Sequence, residues 1–143
     1  MGVKLVPHYV PGGRLLEVGC ARGAQLFFLH YLGWQHLHGI ELVPKAANAA
    51  RQLGFSVECG SVETVLDEYP RAYFDVVYST MVLEHLYDPF QVVRDIGRKL
   101  KPGGQFLFST VIRDSLDVRM YRGYSLCFDL PRHVTYFSKA DIY

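Results

Sequence analysis

The sequence predicts an α/β chain with a doubly wound, mostly parallel sheet. Short β-rich runs alternate with helix-like stretches. The connections contain no tight hairpin turns, and the fourth run, Phe74-Asp75-Val76-Val77-Tyr78-Ser79, is mostly apolar. Helices placed between β-runs imply parallel strands joined by right-handed crossovers. A strand covered on both faces reads as a near-continuous apolar run.

The predicted strands are residues 14–19, 36–41, 55–59, 74–79 and 105–111. The first helix spans 23–32, with Leu26, Leu29 and Leu32 inward and Gly33 as its stop. The second spans 44–53, with Pro44 at the first helical position, Ala46, Ala50 and Leu53 inward, and Gly54 beyond its end. Ser61 is placed to cap a short helix running to about Glu68. Asp88 caps a fourth, 89–100, with Phe90, Val93 and Leu100 inward, and Lys101-Pro102-Gly103-Gly104 breaks it. Residues 112–143 leave the alternation. There Arg113, Arg119, Arg122 and Arg132 are interleaved with Tyr121, Tyr124, Phe128 and Tyr136. That stretch reads as an irregular covering segment with solvated arginines, and a helix is expected to start after Thr135.

Half of the 143 residues are hydrophobic and 14% are aromatic, enough for one domain with a sizeable core. Fifteen Lys and Arg against 14 Asp and Glu leave a formal charge of +1, which gives no sign of a nucleic-acid binder. Cys20, Cys59 and Cys127 form neither a metal pair nor a disulfide framework, which suits a reducing cytoplasm. No apolar run reaches membrane-spanning length. The N-terminus lacks a signal-peptide pattern, and Val6 stands where an acylation motif needs Ser or Thr.

The chemistry-bearing residues begin at Leu16-Glu17-Val18-Gly19-Cys20-Ala21-Arg22-Gly23, a strand ending in a glycine turn that opens a helix. Gly19 permits the sharp turn, and free N–H groups at a helix start attract an anionic group. Glu41 follows Glu17 by 24 residues, at the tip of the second strand. A carboxylate there can accept both hydroxyl protons of a ribose, so an adenosine-containing cofactor fits. A dinucleotide remains an alternative, making the chain a nicotinamide-dependent oxidoreductase. Its fingerprint, however, wants glycine where Ala21 stands. Glu17 is better matched to a ligand with a cationic amino group.

Glu17 to Gly23 resembles motif I of the class I S-adenosylmethionine-dependent methyltransferases, with Ala21 replacing the middle glycine. Gly39-Ile40-Glu41 resembles the ribose-binding motif, and Cys59-Gly60-Ser61-Val62-Glu63 the adenine-side segment. Val82-Leu83-Glu84-His85-Leu86, Leu100-Lys101-Pro102-Gly103-Gly104 and Pro131-Arg132-His133 are similar to later family segments. The tail segment, with Tyr136-Phe137-Ser138, is similar to one in the small-molecule branch that includes ubiquinone-biosynthesis-like and sugar-modifying enzymes.

The resemblance implies a Rossmann-like sheet of order 3-2-1-4-5. It assigns Gly19, Cys20, Ala21 and Gly23 to the methionine part of the cofactor, with Glu17 serving its amino group. Glu41 takes the ribose, Leu42 packs on adenine, Ser61 and Val62 meet the adenine edge, and Ser79 and Thr80 face the methionine end. The acceptor is a small molecule. His85 and His133 are candidate bases. Some ubiquinone-type O-methyltransferases add a carboxylate near the Glu-His pair to hold a divalent ion. Here Met81 lies three residues before Glu84 with no second carboxylate, so no metal is expected. His36 and His38 share one strand face, for which a surface role is expected. The family sheet has seven strands and five are visible, so the chain reads as a truncated core. The fifth-strand edge, with Phe106 and Phe108, is then expected to self-associate or to be shielded by residues 112–133. A module that binds the cofactor without catalysis also remains open.

Overall fold

A computed structural model describes residues 7–129 and 131–142. Val6 and Tyr143, on which parts of the N- and C-terminal readings rest, lie outside the described residues. Five parallel strands form one sheet, β1 (Arg14–Val18), β2 (His36–Glu41), β3 (Ser56–Cys59), β4 (Phe74–Thr80) and β5 (Leu100–Ser109), in the order β3-β2-β1-β4-β5. The helices are α1 (Ala24–Tyr31), α2 (Pro44–Gln52), α3 (Val62–Val65), α4 (Pro89–Lys99), α5 (Leu116–Tyr121) and α6 (Lys139–Ile142). This is the expected architecture.

Alternating residues of each strand face two separate cores. Leu16, Val18, Ile40 and Val77 pack with Phe74, Val92 and Ile96 on one side. Leu15, Leu37, Val57 and Val76 pack with Leu26, Leu29 and Trp34 on the other. Burial on both faces explains why β4 reads as an apolar run.

Several helix faces differ from expectation. Leu32 and Leu53 are exposed, and α2 buries Ala50 as expected together with Ala47. In α4 the inner face is Val92 and Ile96, while Phe90 and Val93 are largely exposed. The buried set extends to Lys99, whose Nζ donates to the Tyr69 carbonyl at 2.7 Å. A buried ammonium with a fixed acceptor and an apolar stem can continue a core face, and hydrophobicity alone hides it. Asp88 caps α4 as expected, accepting from the Gln91 N–H at 2.9 Å. Ser61 occupies the N-cap of α3, but its hydroxyl pairs with Thr64 Oγ1 rather than a helix N–H. The predicted 61–68 helix becomes one turn of α3 and a 3-10 turn, Leu66–Glu68.

β5 begins five residues before its predicted start. Phe74 pairs with Leu100 and Val76 with Gln105, so the register shifts and Lys101 to Gly104 are accommodated as a bulge within the strand. Among the described residues no strand pairs with the other side of β5. Phe106 and Phe108 stack at 5.1 Å there, in a groove of about 400 Å³ that Ile142 helps to line. The shielding expected from residues 112–133 is therefore incomplete.

The tail is more ordered than predicted. Ser115 caps α5, and Ile112 bridges Phe137, which is buried in the first core. All four interleaved arginines are exposed, in line with a solvated surface. His38 departs from its expected surface role. It sits within 5.9 Å of the rings of Tyr69, Tyr73 and Phe74, and burial lowers its pKa below the usual imidazole value.

Candidate active site

A cavity of about 610 Å³ opens over the C-terminal ends of β1, β2 and β4. Parallel strands place their following loops at one edge of the sheet, so residues far apart in sequence meet there. Of the residues expected to bind a cofactor, Gly19, Glu41, Leu42, Ser61, Val62 and Thr80 line this cavity, as does His85. Sequence reasoning missed Val43, Met81, Val82 and Tyr87, which also line it. Their only signal is position, immediately after a strand or beside a motif residue.

The first turn is built around backbone geometry. Gly19 has φ 77, and a Cβ there would stand 2.5 Å from Val82 Cγ2. Ala21 takes φ 48, a region alanine rarely adopts, which fits its place where the resembled motif has glycine. Gly23, at φ 82, lies against Ala50 and lets α1 start close to α2.

Cys20, Ala21 and Gly23 do not line the cavity; Cys20 and Gly23 are buried and Ala21 is exposed. Cys20 is buried, packs over Gly39, and has its thiol pushed up to about 12, chiefly by burial and then by Glu17 and Glu41. It is a packing residue. Ser79 is also fully buried, and its hydroxyl has no partner among the described residues.

Glu41 fastens two loops. Its Oε2 accepts from the Ala21 N–H and its Oε1 from the Val43 N–H, both at 2.8 Å. Each carboxylate oxygen retains a lone pair for a further donor. Glu17 is 5% exposed, and its Oε2 lacks a partner among the described residues. Burial, and secondarily the charge of Glu41, pushes its pKa up to about 8. A buried, unpartnered carboxyl beside a second carboxylate is an unfavourable arrangement that a cationic group relieves. A ligand with ribose hydroxyls and an ammonium group therefore fits these residues.

The tail packs against the loop that follows β4. The N–H groups of Val134 and Thr135 donate to the Glu84 carbonyl, and Thr135 Oγ1 donates to the Leu86 carbonyl at 2.7 Å. His85 Nδ1 meets the Arg132 carbonyl at 2.8 Å, and His133 Nδ1 the Cys127 carbonyl at 2.9 Å. His85 is exposed on the 3-10 turn Leu83–His85, whereas His133 is 6% exposed, the reverse of a surface histidine. The two rings lie 4.9 Å apart. Their approach was not foreseeable, because the tail has no periodicity that would place it.

The divalent ion held by a carboxylate pair in the ubiquinone branch does not fit here. Met81 occupies the position of the additional carboxylate and offers only a thioether at the cavity. A hard ion of the magnesium class needs oxygen ligands in near-octahedral array.

Comparison with known proteins agrees with this geometry. Residues 4–143 match the sequence model of a family described as Methyltransferase domain. The chain is 35% identical over 109 residues to a ubiquinone biosynthesis O-methyltransferase of Idiomarina loihiensis, covering 72% of this chain and 44% of that protein. It is 34% identical over 107 residues to phosphoethanolamine N-methyltransferase 1 of Arabidopsis thaliana, covering 72% of this chain and 22% of that protein. The chain thus spans less than half the length of these curated relatives. A solved S-adenosylmethionine-dependent methyltransferase from Mesorhizobium loti superposes with a TM-score of 0.65 at 28% identity, covering 71% of this chain and 47% of that one. A second, from Archaeoglobus fulgidus, shares the fold with a TM-score of 0.77 at 20% identity, covering 91% and 57%. Motifs, sheet order, cavity and these likenesses converge, and the chain belongs to the class I S-adenosylmethionine-dependent methyltransferases.

Proposed function

We propose that this domain binds S-adenosylmethionine in the cavity above β1, β2 and β4 and transfers its methyl group to a small molecule. The observation that carries the reading is the carboxylate pair. Glu17 and Glu41 stand near the tips of adjacent strands, one buried without a partner and one held by two loop N–H groups. Glu41 serves the ribose hydroxyls and Glu17 the ammonium end. Leu42 covers the adenine, while Ser61 and Val62 meet its edge. The turn from Gly19 through Cys20 and Ala21 to Gly23 shapes the methionine end, with Ser79 and Thr80 beyond it.

The cofactor supplies a methyl group already activated on a sulfonium, so the chain's task is alignment and exclusion of water. Proximity and orientation contribute roughly 7–11 kcal/mol in favourable cases. The acceptor enters beside Thr80, Met81 and His85, where Tyr87 stands at the rim. Any proton it loses leaves on the His85 side.

S-adenosylhomocysteine is expected to raise the melting temperature, and Glu41→Ala to remove most of that shift. No shift at millimolar ligand refutes the reading. Methyl transfer to a panel of phenols and amines then separates an enzyme from a non-catalytic binding module.

We further infer a cytoplasmic setting, which the free thiols of Cys20, Cys59 and Cys127 support. Among the described residues no helix is long and apolar enough to cross a membrane. The unpaired side of β5, with its stacked Phe106 and Phe108, supports pairing with a second copy of the chain. Nothing in the near-neutral charge calls for a nucleic-acid partner.

A further inference from the structure

We propose that Met81 is a specificity-determining residue: a strained backbone holds it at the acceptor end of the cavity, where its side chain takes an uncharged ring and turns away a charged group. The inference rests on the methyl-transfer reading above and names what residue 81 selects in that same cavity.

Met81 is the first residue after β4 and takes φ 55, a left-handed region that long side chains rarely adopt. Its N–H donates to the Ser109 carbonyl at 2.9 Å, one residue beyond the Thr80–Ser109 pair that ends the β4–β5 ladder. The next residue, Val82, lies over Gly19 at the end of β1. The 3-10 turn Leu83–His85 then begins, with the His85 N–H donating to the Val82 carbonyl at 2.9 Å. The chain must therefore turn sharply at residue 81, between a ladder bond and a packed valine. Glycine or asparagine would make that turn at lower cost. Backbone strain at a cavity wall points to a function for the side chain rather than for the turn.

The cavity lining divides by charge. Its carboxylates, Glu41 and Glu63, belong to β2 and α3. The stretch after the β4 core contributes Thr80, Met81, Val82, His85, Leu86 and Tyr87, with no carboxylate and no ammonium. Glu84 of the same stretch is fully buried and does not line the cavity. A charged acceptor entering there sheds water and meets no counter-ion, whereas a neutral ring loses little. Met81 is 43% exposed, which leaves it open to a ligand. A flexible, polarizable thioether packs favourably at the edge of an aromatic ring. Residue 81 thus favours a neutral aromatic acceptor over a charged one of similar size.

The test uses p-cresol, tyramine and 4-hydroxyphenylacetate, which carry one phenol with a neutral, a cationic and an anionic substituent. Binding of each is measured by saturation-transfer NMR, with and without S-adenosylhomocysteine, so the readout does not depend on turnover. The parent chain is expected to bind p-cresol at least about 10-fold more tightly than either charged phenol. Met81→Gln, of similar length, is expected to cut that preference roughly 2- to 10-fold. Met81→Gly, which adopts φ 55 freely, is expected to keep the fold and to lose p-cresol affinity by about the same factor. Equal affinity for the three phenols, or no p-cresol binding, overturns the proposal. So does an unchanged preference in folded Met81→Gln together with unchanged p-cresol affinity in Met81→Gly. Loss of the S-adenosylhomocysteine melting shift in both variants also overturns it, by moving Met81 to the cofactor end. A parent chain that shows no such shift refutes the cofactor reading instead, and the phenol series still decides what residue 81 selects.

Discussion

Replacing Glu17 by glutamine tests the electrostatics of the site directly. The Glu17 pKa rises from 4.5 to about 8, first through burial and then through Glu41. Below pH 4.5 both the folded and unfolded chains hold the proton. Between pH 4.5 and 8 the unfolded chain releases it and the folded chain keeps it, so stability falls as pH rises across this window. Above pH 8 both states are ionised and the loss is complete. At about 1.4 kcal/mol per pKa unit, the full swing is about 5 kcal/mol. Urea unfolding of the ligand-free protein and Glu17→Gln between pH 5 and 8.5 measures it. The variant is expected to lose this slope, gaining several kcal/mol over the parent at the alkaline end. Parallel stability curves for the two proteins refute the reasoning. A ligand ammonium beside Glu17 favours its ionised form. Binding of S-adenosylhomocysteine at pH 7 should then release a proton, seen as a calorimetric heat that depends on the buffer.

Gly19→Ala forces a side chain at φ 77 against Val82, and a loss of about 1–3 kcal/mol is expected by urea unfolding. Adding Val82→Ala removes the clash but not the backbone strain, so it should recover only part of that loss. Asp88→Ala deletes the α4 cap and should cost about 1 kcal/mol, read as a lower urea midpoint. Phe108→Lys places a charge on the open side of β5 and should shift sedimentation toward monomer at high protein concentration. An unchanged distribution would remove that edge as the contact.

The strands were legible because fully buried parallel strands leave compact apolar runs between helices, while their order came with the family resemblance. Glu17, Gly19 and Glu41 were legible for a related reason: each occupies a strand end whose chemistry depends on backbone geometry. The face of α4 was not, because Lys99 continues the buried stripe while the more hydrophobic Phe90 and Val93 face outward. Phe90 instead meets Phe137 of the tail at 6.1 Å. The start of β5 was hidden by Pro102, Gly103 and Gly104, which read as a stop although the strand absorbs them as a bulge. His133 joined the site for a reason no local pattern records, a set of backbone hydrogen bonds to distant residues.

Those bonds have a kinetic meaning. The contacts from His85 to Arg132 and from Thr135 to Leu86 close loops of 47 and 49 residues. Closing such spans costs loop entropy, as does the pairing of β1 with β4 across a longer stretch of chain. The tail thus closes over the loop after β4 as a unit that local opening can release. A protease cutting near exposed Tyr121 or Tyr124 would leave the sheet and both carboxylates in place while releasing His133 from Glu84 and His85. The residues that line the cavity lie within 18–87, so such a cut leaves them on the sheet side and frees only the tail that packs on the loop after β4.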